Sequence, residues 1–360
     1  MGDVCVDYRK EFADLLREIR IPVGDDGRSK LEKYSRLNCY ITANMPKSLF
    51  RYRTLEPHNI EAFRKGTIPV SKPSVMGDIF DSQIFVNVEK TVEELKKLSG
   101  GMGVIAEYVY KGGEIPQEVL QSLSRNMRRT VIKNKHRFRN NPRLRATMKH
   151  LTPEVEKAFI GKIETKSEHI VDILKATGYI ACFSEECNNL KMWSDYADKH
   201  RGYVLEYDFE TLNPRFHTFE KCGERFLPNT IVLPVIYGEQ YDSTEFVICY
   251  MANELLRDVD KRDIYVKQRD ELWHIKGYLY KDSDYKPESE WRLITPIHGV
   301  PRKSDSYSDV GGVPKAIYYG AEMPEESFLE LEAIAKEKQI VRYRMEVNTS
   351  ERKVVAILLD

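Results

Sequence analysis

The chain has no run of about 18 apolar residues, the length a helix needs to cross a bilayer, so no membrane span is expected. Its opening residues, MGDVCVDYRKEF, lack an apolar core, and no signal peptide is expected. The initial Met-Gly echoes a myristoylation motif, but Val6 stands where that motif wants Ser or Thr. Net charge is missing too. The 56 basic and 56 acidic side chains cancel, which leaves no global pull toward nucleic acid or anionic lipid; any such attraction must be local. The six cysteines form no C-x-x-C pair and no metal-ligand spacing with the eight histidines. They read as reduced thiols of a cytoplasmic protein, and no metal is expected. Internal repeats and low-complexity linkers are also lacking.

What is present is enough for a sizeable core: 360 residues, 41% of them hydrophobic. The most informative stretch runs from Tyr179 to Phe209. An apolar run, Tyr179 to Phe183, has strand length, and Ser184 starts a polar turn. Leu190, Trp193 and Ala197 follow at helical spacing, Gly202 stops that helix, and Tyr203 to Phe209 returns as a strand. From spacing alone, Trp193 and Tyr196 read as core aromatics.

Upstream, residues 7–20 form an amphipathic helix with Phe12, Leu15, Leu16 and Ile19 on one face. Gly24-Asp-Asp-Gly27 breaks it, and residues 1–47 read as an N-terminal extension to a single domain over 48–360. Ser48 to Arg53 is the first strand. A short helix over 59–65, Gly66 as its left-handed terminator and a strand over 68–71 follow. Arg51 and Arg53 share one face of their strand. Two such guanidiniums either sit in water on an edge strand or clasp a pyrophosphate.

A helical insertion is expected over about 88–176. Within it, residues 124–150 hold ten Lys or Arg and no acid. Arg128, Arg129, Lys133, Lys135, Arg137 and Arg139 are the candidate nucleic-acid contacts there; the alternative is a solvated face against acidic neighbours. A long, interrupted helix is expected from about 243 to 279. Next, Glu288, Glu290 and Arg292 alternate along an expected strand entry, lining three charges on one face. A carboxylate there can orient a ribose hydroxyl and stabilise an oxocarbenium-like centre, provided it is ionised. Alternatively, the three charges form a salt-bridged edge strand. A nuclease-like cluster of Asp78, Asp81, Glu185 and Glu186 fits no metal motif in its spacing. The tail reads as a strand over 315–319, a helix over 325–338 and two strands over 341–347 and 353–359.

Three pieces together carry a resemblance: Leu49-Phe-Arg-Tyr-Arg53, Cys182-Phe-Ser-Glu185 with Met192-Trp193, Tyr196-Ala197 and His200-Arg-Gly202, and Glu288-Ser-Glu-Trp-Arg292. They resemble a large bacterial family known only as a domain of unknown function, over roughly residues 48–350. The family's F-N-D-P-F-D loop reads Met76-Gly-Asp-Ile-Phe-Asp81 here, which puts that loop's role in doubt. More distantly, the order of elements is similar to that of ADP-ribosyltransferases. That likeness implies an α+β fold with a split, mainly antiparallel sheet around a cleft. It also implies NAD as substrate, with Arg53 or Arg51 on its phosphates or ribose and Phe183-Ser184 bracing the nicotinamide side. Trp193 or Tyr196 would stack on the ring, Glu290 would polarise the ribose 2′-OH, and Glu288 would steer the acceptor. The implied role is a toxin or phage-defence effector that modifies nucleic acid. Its partners would be an RNA or DNA acceptor and an antitoxin or chaperone, and no membrane. A non-catalytic nucleotide-sensing module with the same fold is the alternative.

Overall fold

The computed structural model describes residues 7–76, 81–82, 84–98, 117–122, 128–129, 132, 160–161, 163–208, 231–255, 266–295 and 307–359. Helix α1 (Tyr8–Glu18) keeps the expected amphipathic face: Asp7 caps it by accepting from Arg9 N–H, and Phe12, Leu15 and Leu16 are buried. Gly24-Asp-Asp-Gly27 does more than break it. Asp26 accepts from the N–H groups of Arg28 and Ser29 and so starts a second helix, α2 (Gly27–Asn44), that periodicity did not reveal. Its buried stripe is thin, with Tyr34, Leu37 and Ile41 well spaced among polar residues. Both helices share the main hydrophobic core with the sheet.

Strand β1 (Ser48–Arg53) leads to α3 (Pro57–Lys65), with proline in the first turn, where its missing N–H is harmless. Gly66 closes α3 at φ 67°, a conformation open to glycine, and β2 (Thr67–Ser71) follows. After β3 (Ile84–Phe85) and α4 (Val88–Leu98), a helix over 163–177 returns to β4 (Tyr179–Ser184) and β5 (Tyr203–Asp208). Then come β6 (Ile231–Pro234), β7 (Ile236–Tyr237), β8 (Tyr241–Asp242), β9 (Tyr280–Lys281) and β10 (Glu290–Thr295). The chain closes with β11 (Tyr307–Gly311), β12 (Ala316–Tyr319), the helix Glu325–Glu337, β13 (Val341–Asn348) and β14 (Lys353–Leu358). Within the stretch expected to be a long, interrupted helix, the described residues are helical over Thr244–Leu255, 266–268 and Trp273–Gly277.

The architecture is α+β. One ten-stranded sheet runs β11-β2-β4-β1-β5-β12-β13-β14, with β10 and then β6 on the other edge of β4. It is mostly antiparallel; β12 and β13 pair in parallel, as do the short pairs β3–β8 and β7–β9. The helical layer from the insertion packs Val92, Leu95, Ile163 and Ile170 against Val247 and Met251 of the helix Thr244–Leu255. No helix among the described residues is long and apolar enough to cross a membrane.

The sheet forks at β4. β10 covers one edge of β4 along its whole length, Glu290 opposite Ser184 through Thr295 opposite Tyr179. The other edge is shared between two strands: Phe50 of β1 meets Ser184, and Ser71 of β2 meets Ile180. Opposite Cys182, β1 has turned away to pair with β5, and β2 with β11. A gap therefore opens between β1 and β2 in the middle of the sheet.

Candidate functional site

The fork holds a cavity of about 200 Å³ whose wall includes Arg51, Arg53, Phe183, Tyr196, Glu288 and Glu290. The strand alternation places Arg51 and Arg53 on one face of β1. Gly202 fixes the end of that strand: a Cβ on it would lie 2.1 Å from the Arg53 carbonyl oxygen. Arg51 is 93% buried; its Nη2 donates to the Pro69 carbonyl across the fork, and its guanidinium carbon lies 5.5 Å from the centre of the Phe183 ring. Its Nη1 and the Nη2 of Arg53 are buried with no hydrogen-bond partner among the described residues. Burial, helped by Arg53, pushes the Arg51 guanidinium down to about 9, and burial lowers Arg53 as well. Both remain charged at neutral pH. Buried cationic nitrogens without partners are costly.

The opposite wall is a chain of buried charges. Glu288 does not sit on a strand as expected; it ends a 3₁₀ turn, Ser283–Glu288. Ser289 then takes a left-handed conformation, φ 47°, at a cost on the order of 1 kcal/mol for a non-glycine residue. That kink turns both carboxylates onto one cation: Lys281 Nζ donates to Glu288 Oε2 at 2.7 Å and to Glu290 Oε2 at 3.1 Å. Arg292 Nε donates to Glu290 Oε1 at 2.8 Å, while its Nη1 and Nη2 hold Asp81 at 2.7 and 2.6 Å. Tyr196, 40% exposed at the rim, donates its hydroxyl to Glu288 Oε1 at 2.7 Å.

Burial works against ionisation of Glu290, but Arg292 and Lys281 outweigh it and hold the carboxyl at about 2. Lys281 likewise stays protonated against its burial because of Glu290 and Glu288. In formal charge, Asp81, Glu288 and Glu290 face Lys281 and Arg292, one negative charge in excess. Among the described residues, the Arg51–Arg53 wall carries two positive charges with no carboxylate partner.

The other expected residues sit elsewhere. Ser184 is fully buried, its Oγ accepting from Glu186 N–H at 3.3 Å, and does not line the cavity. Trp193 is fully buried, edge-on to Tyr52, and donates Nε1–H to the Cys187 carbonyl at 2.7 Å, so its ring cannot stack on a ligand. Of the basic segment, Arg128 donates to the carbonyls of Leu120 and Gln121 and Arg129 is exposed; Lys133, Lys135, Arg137 and Arg139 lie outside the described residues. Of the imagined carboxylate cluster, Asp81 is taken by Arg292 and Glu185 by Tyr8, Arg9 and Trp291, and Asp78 lies outside the described residues. Among the described residues, no group of three His, Cys, Asp or Glu side chains is placed to hold a metal ion.

Sequence reasoning missed Lys281 and the role of Asp81. Nothing around Tyr278-Leu-Tyr-Lys281 marks the lysine; only the pairing of β9 with β7 brings it beside Glu288 and Glu290. It also missed that Arg9, on α1, donates to the backbone carbonyls of Glu290 and Val235 at 2.9 and 2.8 Å.

Residues 192–293 match the model of a family described as a protein of unknown function, DUF2971. The matched span carries Tyr196, Lys281, Glu288, Glu290 and Arg292, and stops short of β1 and β4. No curated protein and no solved structure matches the chain.

Proposed function

We propose that the cleft binds NAD and acts on its nicotinamide–ribose bond, as an ADP-ribosyltransferase or NAD glycohydrolase. One observation carries this reading: two guanidiniums, Arg51 buried and Arg53 partly buried, without acidic partners among the described residues, face the same cavity as two buried carboxylates, one of them held ionised at about 2. The two surplus positive charges match the two negative charges of a pyrophosphate, and guanidiniums suit that geometry. The fork in the sheet supports a split, ADP-ribosyltransferase-like core around the cleft. About 200 Å³ is less than a whole dinucleotide needs, so in this reading the nicotinamide–ribose end enters and the adenosine lies outside, past Tyr196.

Of the carboxylates, Glu288 is the better acceptor for a ribose 2′-OH. Each of its oxygens takes one hydrogen bond, leaving lone pairs free, whereas Glu290 is gripped by both Arg292 and Lys281. In the reaction the C1′–N bond breaks and its electron pair leaves with nicotinamide. An acceptor oxygen then bonds to C1′ and releases its proton. Glu288 and Glu290 offset the positive charge that develops on the ribose. The basic segment 124–150 supports a nucleic-acid acceptor, the role of a toxin or phage-defence effector.

The grip on Glu290 favours a second reading, a nucleotide-sensing module that binds without cleaving. Assaying nicotinamide release from NAD, with and without RNA, DNA or protein acceptors, separates them. The first reading expects release by the wild-type chain and its loss in Glu288→Gln. Saturable NAD binding without release under any condition supports the sensor, and neither binding nor release removes both.

A further inference from the structure

A larger cavity, about 370 Å³, lies apart from the cleft, between the end of α1, the helix Thr244–Leu255 and residues 269–280. Its volume falls within the range of small-molecule sites. Nine charged side chains line it, and their pairing decides what it can take. Three of the four acids are ion-paired, and the fourth, Asp242, is held by a backbone N–H. Glu18 accepts from Arg36 and Glu245 from Arg20, Asp270 pairs with Lys276 at 2.7 Å, and Asp242 accepts from Thr244 N–H at 2.9 Å. Those contacts also occupy Arg20 and Lys276, and Arg17 holds Asp14 and Glu239. Two cations remain. Among the described residues, Lys90, exposed at the wall, makes no ion pair, and Arg269, half-buried, has its Nε hidden from water without a hydrogen-bond partner.

Beside these cations the wall is aromatic. Tyr241 and Tyr280 stack with centroids 5.9 Å apart at 26°, and Phe246 adds an apolar face that is itself backed by Trp273 at 4.0 Å. Neither tyrosine hydroxyl makes a hydrogen bond to the described residues. A flat ring with polar edges and a phosphate satisfies both halves of this lining: the ring against the aromatic wall, the phosphate on Lys90 and Arg269.

We infer that this cavity is a second ligand site, for a nucleoside monophosphate, separate from the cleft and joined to it through β9. Tyr280 lines the cavity, and the next residue, Lys281, holds Glu288 and Glu290 in the cleft. The site does not depend on what the cleft does.

Titration calorimetry of AMP against the full chain tests it, with adenosine and inorganic phosphate as the half-ligands. AMP is expected to bind saturably and at least about tenfold more tightly than either half. A Lys90→Gln/Arg269→Gln variant loses about tenfold or more in AMP affinity, while Lys353→Gln, at an exposed position of β14, changes it less than twofold. Lys90→Gln alone, at an exposed position, weakens AMP about threefold and carries the test if the double variant does not fold. No saturable AMP binding, equal binding of adenosine, or loss in Lys353→Gln with retention in the double variant each overturns the inference.

Discussion

The two arginine environments in the cleft make opposite predictions for the same substitution. Arg292 is fully buried and holds Asp81 and Glu290. In Arg292→Met both carboxylates stay buried and lose their cation, and breaking a buried pair in this way costs about 3–5 kcal/mol. A chain of 360 residues unfolds with an entropy of about 0.75 kcal/mol/K at ~2.1 cal/mol/K per residue, so the melting temperature should fall by about 4–7 °C. Arg53 has a buried Nη2 with no partner, and no acid pairs with it, among the described residues. Replacing it with methionine keeps most of the apolar stem and removes an uncompensated charge, which should leave stability unchanged or raise it by about 1 kcal/mol. Calorimetric melting of both variants in phosphate-free buffer checks this. If Arg53→Met unfolds as early as Arg292→Met, Arg53 has a structural role and is not waiting for a ligand. That result refutes the reasoning about the cleft.

Other consequences follow from the same geometry. The Glu290 carboxyl ionises at about 2 in the folded chain against an ordinary value of 4.5, so its contribution, on the order of 3 kcal/mol, is complete above pH 4.5 and lost as the pH falls toward 2. Urea unfolding across that window should show the gap between wild type and Glu290→Gln closing with acid; a gap independent of pH contradicts the assignment. Gly202→Ala places a methyl against the Arg53 carbonyl and should destabilise by more than about 2 kcal/mol, measured by the same unfolding. Tyr196→Phe removes one hydrogen bond from Glu288 at a half-open position. It should cost only about 1 kcal/mol in stability while lowering nicotinamide release at saturating NAD; an unchanged rate removes Tyr196 from the site.

Much of the frame was legible in the residues. The strand, helix, glycine, strand order over 48–71 follows from proline at the start of α3 and Gly66 at its end. Both arginines on one face follow from strand alternation. What was not legible depends on contacts between distant segments. α2 hid behind a sparse apolar stripe and a glycine-rich lead-in that is in fact its cap. Alternation puts Glu288 on a strand because Ser289 gives no sign in the sequence of its left-handed backbone, a conformation serine seldom adopts. Trp193 carried the right spacing for either core or ligand, and its indole N–H bond to Cys187 decides for the core. Lys281 and Asp81 entered the site only through strand pairing and a bidentate bond across more than two hundred residues of sequence.

A crystal structure of the chain with ADP-ribose at millimolar concentration decides whether the cleft takes a pyrophosphate. The pyrophosphate is expected within about 3 Å of the guanidinium nitrogens of Arg51 and Arg53, and the distal ribose turned toward Glu288. An empty cleft, or ADP-ribose bound elsewhere while Arg51 and Arg53 keep their present neighbours, contradicts this expectation.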